Sequence, residues 1–111
     1  MTLRAVAYED RVEQLVGMKL LLLSLQRHAP GLPIDVVVPG APDDFVRWLD
    51  RIPDATLYAD GLGRAGFDVK PTLLLRALDE HGGTALWLDS DIIVTSDPRP
   101  LLAAHPTDHL V

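Results

Sequence analysis

The chain contains no cysteine. Disulfides, thiolate zinc sites and cysteine nucleophiles are therefore excluded, and a reducing, cytoplasmic setting is the expectation. Positive charge is scarce. Ten Lys and Arg residues stand against 16 Asp and Glu, a net charge of −6, which argues against a nucleic-acid surface or an anionic membrane surface as partner. A small anion remains admissible, because a metal ion and backbone amides can hold one locally. Long hydrophobic runs are missing as well. Leu20-Leu21-Leu22-Leu23 is interrupted by Ser24 and ends by Gln26, well short of the roughly 20 residues that a membrane span needs. Glu9, Asp10, Arg11 and Glu13 lie upstream of it, which is wrong for the basic start of a secretory leader. The reading is a soluble chain with no membrane span and no targeting segment. Repeats, linkers and low-complexity tracts are also lacking. Apolar residues are abundant, at 48% of 111 positions, and that suffices for one small domain with one core.

The apolar positions alternate between strand-like and helix-like spacing. Leu3 to Tyr8 reads as a first strand. Asp10 with Glu13 forms a capping-box-like pair, and Val12, Leu15, Val16, Lys19, Leu20 and Leu23 follow at helical spacing, with the leucines between them broadening the apolar face of a well-buried helix. His28-Ala29-Pro30-Gly31 ends that helix. Ile34 to Val38 is a β-branched run bounded by prolines, a second strand. A short helix is expected from Asp43 or Asp44 through Phe45, Val46, Trp48 and Leu49, and a third strand over Ala55 to Tyr58. Asp60 to Gly66 reads as a flexible loop. Its glycines at 61, 63 and 66 match Gly-x-Gly-x-x-Gly, but no strand-to-helix turn surrounds them. Lys70 to His81 is the next helix, with Leu73, Leu74, Ala77 and Leu78 on its core side and Gly82-Gly83 after its end. Thr84 to Leu88 is the last strand, and its unbroken apolar run predicts a central, buried position. The alternation predicts an α/β fold, a Rossmann-like, mainly parallel sheet flanked by helices. Ligands in such sheets gather beyond the carboxyl ends of the strands. The ends of the first strand (Ala7, Tyr8, Glu9) and the last (Asp89, Asp91) should share that edge.

The most informative stretch is Ala85-Leu86-Trp87-Leu88-Asp89-Ser90-Asp91-Ile92-Ile93-Val94. An apolar run ends in two aspartates one residue apart, and a second apolar run follows. In extended backbone, residues i and i+2 point to the same side, so Asp89 and Asp91 can aim both carboxylates at one point. A divalent cation with phosphate oxygens is the natural partner of such a pair. The bare tripeptide is common, and it also caps helices and shapes turns. The apolar flanks favour the functional reading. Asp97-Pro98 reads as a turn or helix cap, Trp87 as core, and Glu9 and Asp10 as capping residues. His105 and His109 read as surface residues.

These residues resemble nucleotide-diphospho-sugar transferases of the GT-A fold, and most of all the glycogenin-like family 8 glycosyltransferases. The resemblance is carried by Phe67-Asp68-Val69-Lys70-Pro71, Leu73 to Leu78, and Leu86 to Val94, with Ala5 to Tyr8 and the leucine-rich helix ending in Ser24-Leu25-Gln26-Arg27-His28 also similar. It implies Asp91 as the metal-coordinating carboxylate and Asp89 as a second ligand or ribose contact. It implies Lys70 as a cation near the nucleotide or its phosphates, and Ala7 and Tyr8 as part of the base pocket. The implied cofactor is Mn2+ or Mg2+. The implied donor is a nucleotide sugar, a UDP-sugar foremost, and the reaction is transfer to a hydroxyl acceptor with retained configuration.

The family's domain is longer, and its acceptor-side residues and a further metal-binding histidine follow the Asp-x-Asp. The expectation is therefore a truncated, nucleotide-binding half over residues 1–111, with apolar surface left uncovered and either self-association or a stability below that of a full domain. Two other readings stay open. One is a non-catalytic nucleotide-binding or interaction module. The other is a haloacid-dehalogenase-like phosphatase, which also ends a buried strand in Asp-x-Asp, but normally on its first strand. A calcium loop fits less well, because Ile93 and Val94 stand where an oxygen ligand and a glycine are needed.

Overall fold

The computed structural model describes residues 3–59, Leu73, Leu74, Arg76, Leu78 and residues 83–100. Four strands form one sheet: β1 (Leu3–Tyr8), β2 (Ile34–Val37), β3 (Ala55–Tyr58) and β4 (Thr84–Trp87), in the order β3-β2-β1-β4. Every pairing is parallel. Helix α1 (Leu15–His28) lies between β1 and β2 in sequence, and α2 (Asp43–Leu49) between β2 and β3. Parallel neighbours need such crossovers. The four strands and the first two of the three helices expected from the sequence are present to within a residue or two, α1 apart, whose start is displaced. Among the described residues no helix is long and apolar enough to cross a membrane.

The two-residue period of the strands divides the core into two layers. Leu3, Ala5 and Ala7 of β1, Ile34 and Val36 of β2, and Leu88 pack with α1 and α2. Small alanines on β1 leave room for Leu15, Met18, Leu21, Leu22 and Leu25 of α1, all buried. Each such side chain contributes about 1.5–3 kcal/mol relative to its exposed state. On the other face, Val6 and Val37 pack with Leu73, flanked by Tyr8, Tyr58, Leu74, Ala85 and Trp87. The buried Asp35 is on this side and takes the Arg4 guanidinium at 3.0 Å. A sheet covered on both faces explains why β2 is buried at every position.

Four expectations are corrected. The buried face of α1 is rotated from the one the spacing suggested: Val12, Val16, Leu20 and Leu23 are exposed. With leucines nearly all round, periodicity cannot choose a face, and contact with β1 does. The capping box is also not formed. The chain enters α1 through a 3-10 turn (Val12–Gln14) without a side-chain cap, and Asp10 instead accepts the Tyr8 hydroxyl at 3.3 Å. Third, β4 is an edge strand of the four described, half-buried along its length, with Leu88 buried behind it. Its apolar run reflects two covered faces, which an edge strand can have as well as a central one. Finally, Leu78 is exposed while Leu73 is buried. Leu73, Leu74, Arg76 and Leu78 are helical, as expected. Lys70, Ala77, the Asp60 to Gly66 loop, His105 and His109 lie outside the described residues.

Candidate functional site

The order β3-β2-β1-β4 reverses direction between β1 and β4. At such a switch point the connections leave the sheet toward opposite sides, and a crevice opens beyond the carboxyl ends of the two strands. Here that crevice is a cleft of about 400 Å3 lined by Tyr8, Glu9, Asp10, Arg11, Asp89, Ser90 and Asp91. Residues 8–11 leave β1 and residues 89–91 leave β4. The register Val6 to Trp87, extended by the Leu88 amide donating to the Val6 carbonyl at 2.9 Å, holds the two exits side by side.

The aspartates reach the cleft by a route other than the one expected. β4 ends at Trp87, and the Ile92 amide bonds back to the Asp89 carbonyl at 3.2 Å, closing a turn over Asp89 to Ile92. Asp89 and Asp91 therefore do not share one side of an extended strand. The turn brings both to the same cleft instead. The i, i+2 relation holds one step earlier, where the Trp87 indole donates to Asp89 Oδ1 at 2.8 Å. The second apolar run is not a strand. Ile92 and Ile93 are exposed, and the Val94 amide donates to Ser24 Oγ of α1 at 2.9 Å. Ser24 Oγ in turn donates to the Leu21 carbonyl at 2.7 Å. The Asp97 carboxylate accepts the Arg99 amide at 2.9 Å and its guanidinium at 2.7 Å, as a turn-capping residue should.

Tyr8, Asp89 and Asp91 thus line one cleft, as the sequence suggested. Ala7 does not: its side chain is fully buried against α1, because alternation turns it away from Tyr8. Lys70 is outside the described residues. Burial raises the Tyr8 hydroxyl above its ordinary range, and the neighbouring Asp10 charge adds to the effect.

The residue that sequence reasoning undervalued is Glu9. Its side chain is only 3% exposed. Its carboxylate accepts the Arg11 Nε at 2.9 Å, Arg11 Nη2 at 3.2 Å, the Arg11 amide at 3.1 Å and the Ser90 hydroxyl at 2.7 Å. Burial pushes this carboxyl up, but the bonds from Arg11 and Ser90 outweigh it and hold the group below its ordinary value. The available signal was an acid directly following an apolar strand with a basic residue two positions on.

The donor set fits a hard divalent cation in part. Asp91 is exposed and carries no hydrogen bond to another described residue, and Asp89 keeps one carboxylate oxygen clear of the indole. Among the described residues no group of three or more acidic or histidine side chains forms a ready-made metal site. Two carboxylates nevertheless match Mg2+-type binding, in which phosphates and water complete the shell.

No family model and no curated protein matches the sequence. Solved structures are similar in fold. TarS of S. aureus (residues 1–349) superposes with a TM-score of 0.61 at 17% identity, covering 94% of this chain and 31% of that one. The apo form of the glycosyltransferase GlyE of Streptococcus pneumoniae superposes with a TM-score of 0.57 at 24% identity, covering 91% of this chain and 26% of that one. The chain has a glycosyltransferase-like fold. It spans less than a third of the length of either structure.

Proposed function

We propose that this glycosyltransferase-like unit binds a nucleoside-diphosphate sugar, a UDP-sugar foremost, through Mn2+ or Mg2+, for transfer of the sugar to a hydroxyl acceptor. The observation that carries the reading is the meeting of the Asp89–Asp91 turn with the end of β1 at the sheet's switch point. The fold shared with GlyE supports it, as does the likeness of Lys70 to Val94 to family 8 enzymes, which implies retained configuration. The domain assigned to this task is residues 1–111.

In this reading Asp91 and Asp89 hold the cation, and Asp89 is oriented by the Trp87 indole. A divalent cation, when bound, supplies the positive charge that stabilises a departing diphosphate. Tyr8 offers an aromatic wall to the nucleoside end of the cleft. Lys70 adds positive charge near the phosphates. The chain's acidic balance makes the cation necessary, since the cleft's described lining has four carboxylates and a single arginine, already paired with Glu9.

Calorimetric titration of the 111-residue chain with UDP, with and without Mn2+, tests the reading. Binding that requires Mn2+, and that falls by more than about tenfold (roughly 1.4 kcal/mol) in Asp91→Asn, is the expected result. UDP binding indifferent to Mn2+ overturns it.

A further inference from the structure

Ser90 stands between the two aspartates, and its hydroxyl is engaged by the end of β1. Its hydroxyl donates to Glu9 Oε1 at 2.7 Å, joining positions 81 residues apart. Glu9 is one of two buried acidic residues in the described chain, the other being Asp35 in its pair with Arg4. The Glu9 backbone is fixed too, since its amide donates to the Val37 carbonyl at 3.0 Å and so continues the β1–β2 ladder. The Ser90 carbonyl also approaches α1. It lies so close to Gly17 of α1 that a Cβ there would meet it at 2.9 Å. The aspartate turn is thus bonded at its centre to the end of β1 and lies close against α1.

We infer that Glu9 is a positioning residue, whose bond to the Ser90 hydroxyl sets the turn in which Asp89 and Asp91 hold a cation together with a nucleoside diphosphate. The inference rests on the metal-nucleotide reading above and adds a residue that this reading does not use. Glu9 itself is not a ligand. Its carboxylate is directed at Ser90 and Arg11, and only 3% of the side chain is exposed. A turn of two acidic residues repels itself, and a fixed central residue keeps the repulsion from opening it before the cation arrives. Groups that orient metal ligands typically contribute about 10- to 100-fold to affinity.

The test is Mn2+-dependent UDP binding by calorimetry on the whole chain, in four variants. Ser90→Ala and Glu9→Ala are each expected to weaken binding by about tenfold. The double variant should be no weaker than the weaker single, because both remove one interaction. Glu9→Gln, whose amide oxygen still accepts from Ser90, should keep affinity within about threefold of wild type, allowing for a weaker neutral acceptor. A merely structural role would lower the melting temperature in step with lost bonds but leave affinity in the folded variants unchanged, and that result overturns the inference. Additive losses in the double variant overturn it as well. If Glu9→Ala does not fold, Ser90→Ala and Glu9→Gln decide the question by themselves. Failure of wild type to bind UDP with Mn2+ overturns the metal-nucleotide reading and this inference together. Normal binding by wild type with unaltered Ser90→Ala overturns the positioning role alone.

Discussion

Gly17 of α1 and Ser90 of the aspartate turn approach so closely that a methyl group on Gly17 would lie 2.9 Å from the Ser90 carbonyl oxygen and 3.9 Å from the Asp91 Cα. Both neighbours are backbone, so no side chain can swing aside. Gly to Ala within a helix ordinarily stabilises by about 0.5–1 kcal/mol. At position 17 the sign should reverse. Gly17→Ala is expected to destabilise by about 1–3 kcal/mol, the range for forcing an added methylene into a packed site. It should also weaken Mn2+-dependent UDP binding, because the turn must shift. Urea denaturation together with calorimetry checks both effects. A gain in stability would show that α1 and the turn are further apart.

The rotated face of α1 gives a second expectation. Leu21 is fully buried and Leu20 is 49% exposed. Leu21→Ala should cost about 2–5 kcal/mol through lost burial and the cavity left behind. Leu20→Ala should change stability by about 0.5 kcal/mol or less. Equal costs in urea denaturation would restore the face suggested by spacing alone.

The lowered Glu9 carboxyl has a pH consequence. A group whose folded value lies below its unfolded value stabilises above the unfolded value and loses that contribution as pH falls through the folded one. For Glu9 the contribution should be complete above about pH 4.5 and decline below it. Glu9→Gln removes the titration, so its stability should fall less steeply with acid than that of wild type. Asp97 is lowered in the same direction by hydrogen bonds from Arg99, but its side chain is open to solvent in part, and solvent screens its share. Denaturation midpoints between pH 3 and 6 for wild type, Glu9→Gln and Asp97→Asn compare the two. An equal slope in wild type and Glu9→Gln would remove Glu9 from the account.

Lys70 is the remaining cation assigned to the nucleotide. Lys70→Ala should lower UDP affinity in the presence of Mn2+ and leave the requirement for Mn2+ intact. A variant that no longer responds to Mn2+ would instead place Lys70 in the support of the metal site. Titrations with and without metal separate the outcomes.

Local pattern determined much of this protein. Strand runs such as Ala5-Val6-Ala7 and Val36-Val37-Val38 are apolar without interruption, as parallel strands covered on both faces must be, and they announced the α/β class and the site's edge of the sheet. Asp89 and Asp91 were visible as acids placed where an apolar run ends. Tertiary structure decided what period and type cannot encode. The burial of α1 depends on which leucines meet the alanines of β1, and a helix apolar on most sides carries no record of that choice. The strand order put β4 beside β1 at the edge of the described sheet, where hydrogen-bond partners and not hydrophobicity assign the place. Above all, the setting of the aspartate turn brings together Glu9, Gly17 and Ser90, three residues whose individual types are ordinary. Their relation exists only once the chain brings the ends of β1 and β4 together over α1, because a hydrogen bond of 2.7 Å between positions 81 apart is a property of the fold and not of either segment.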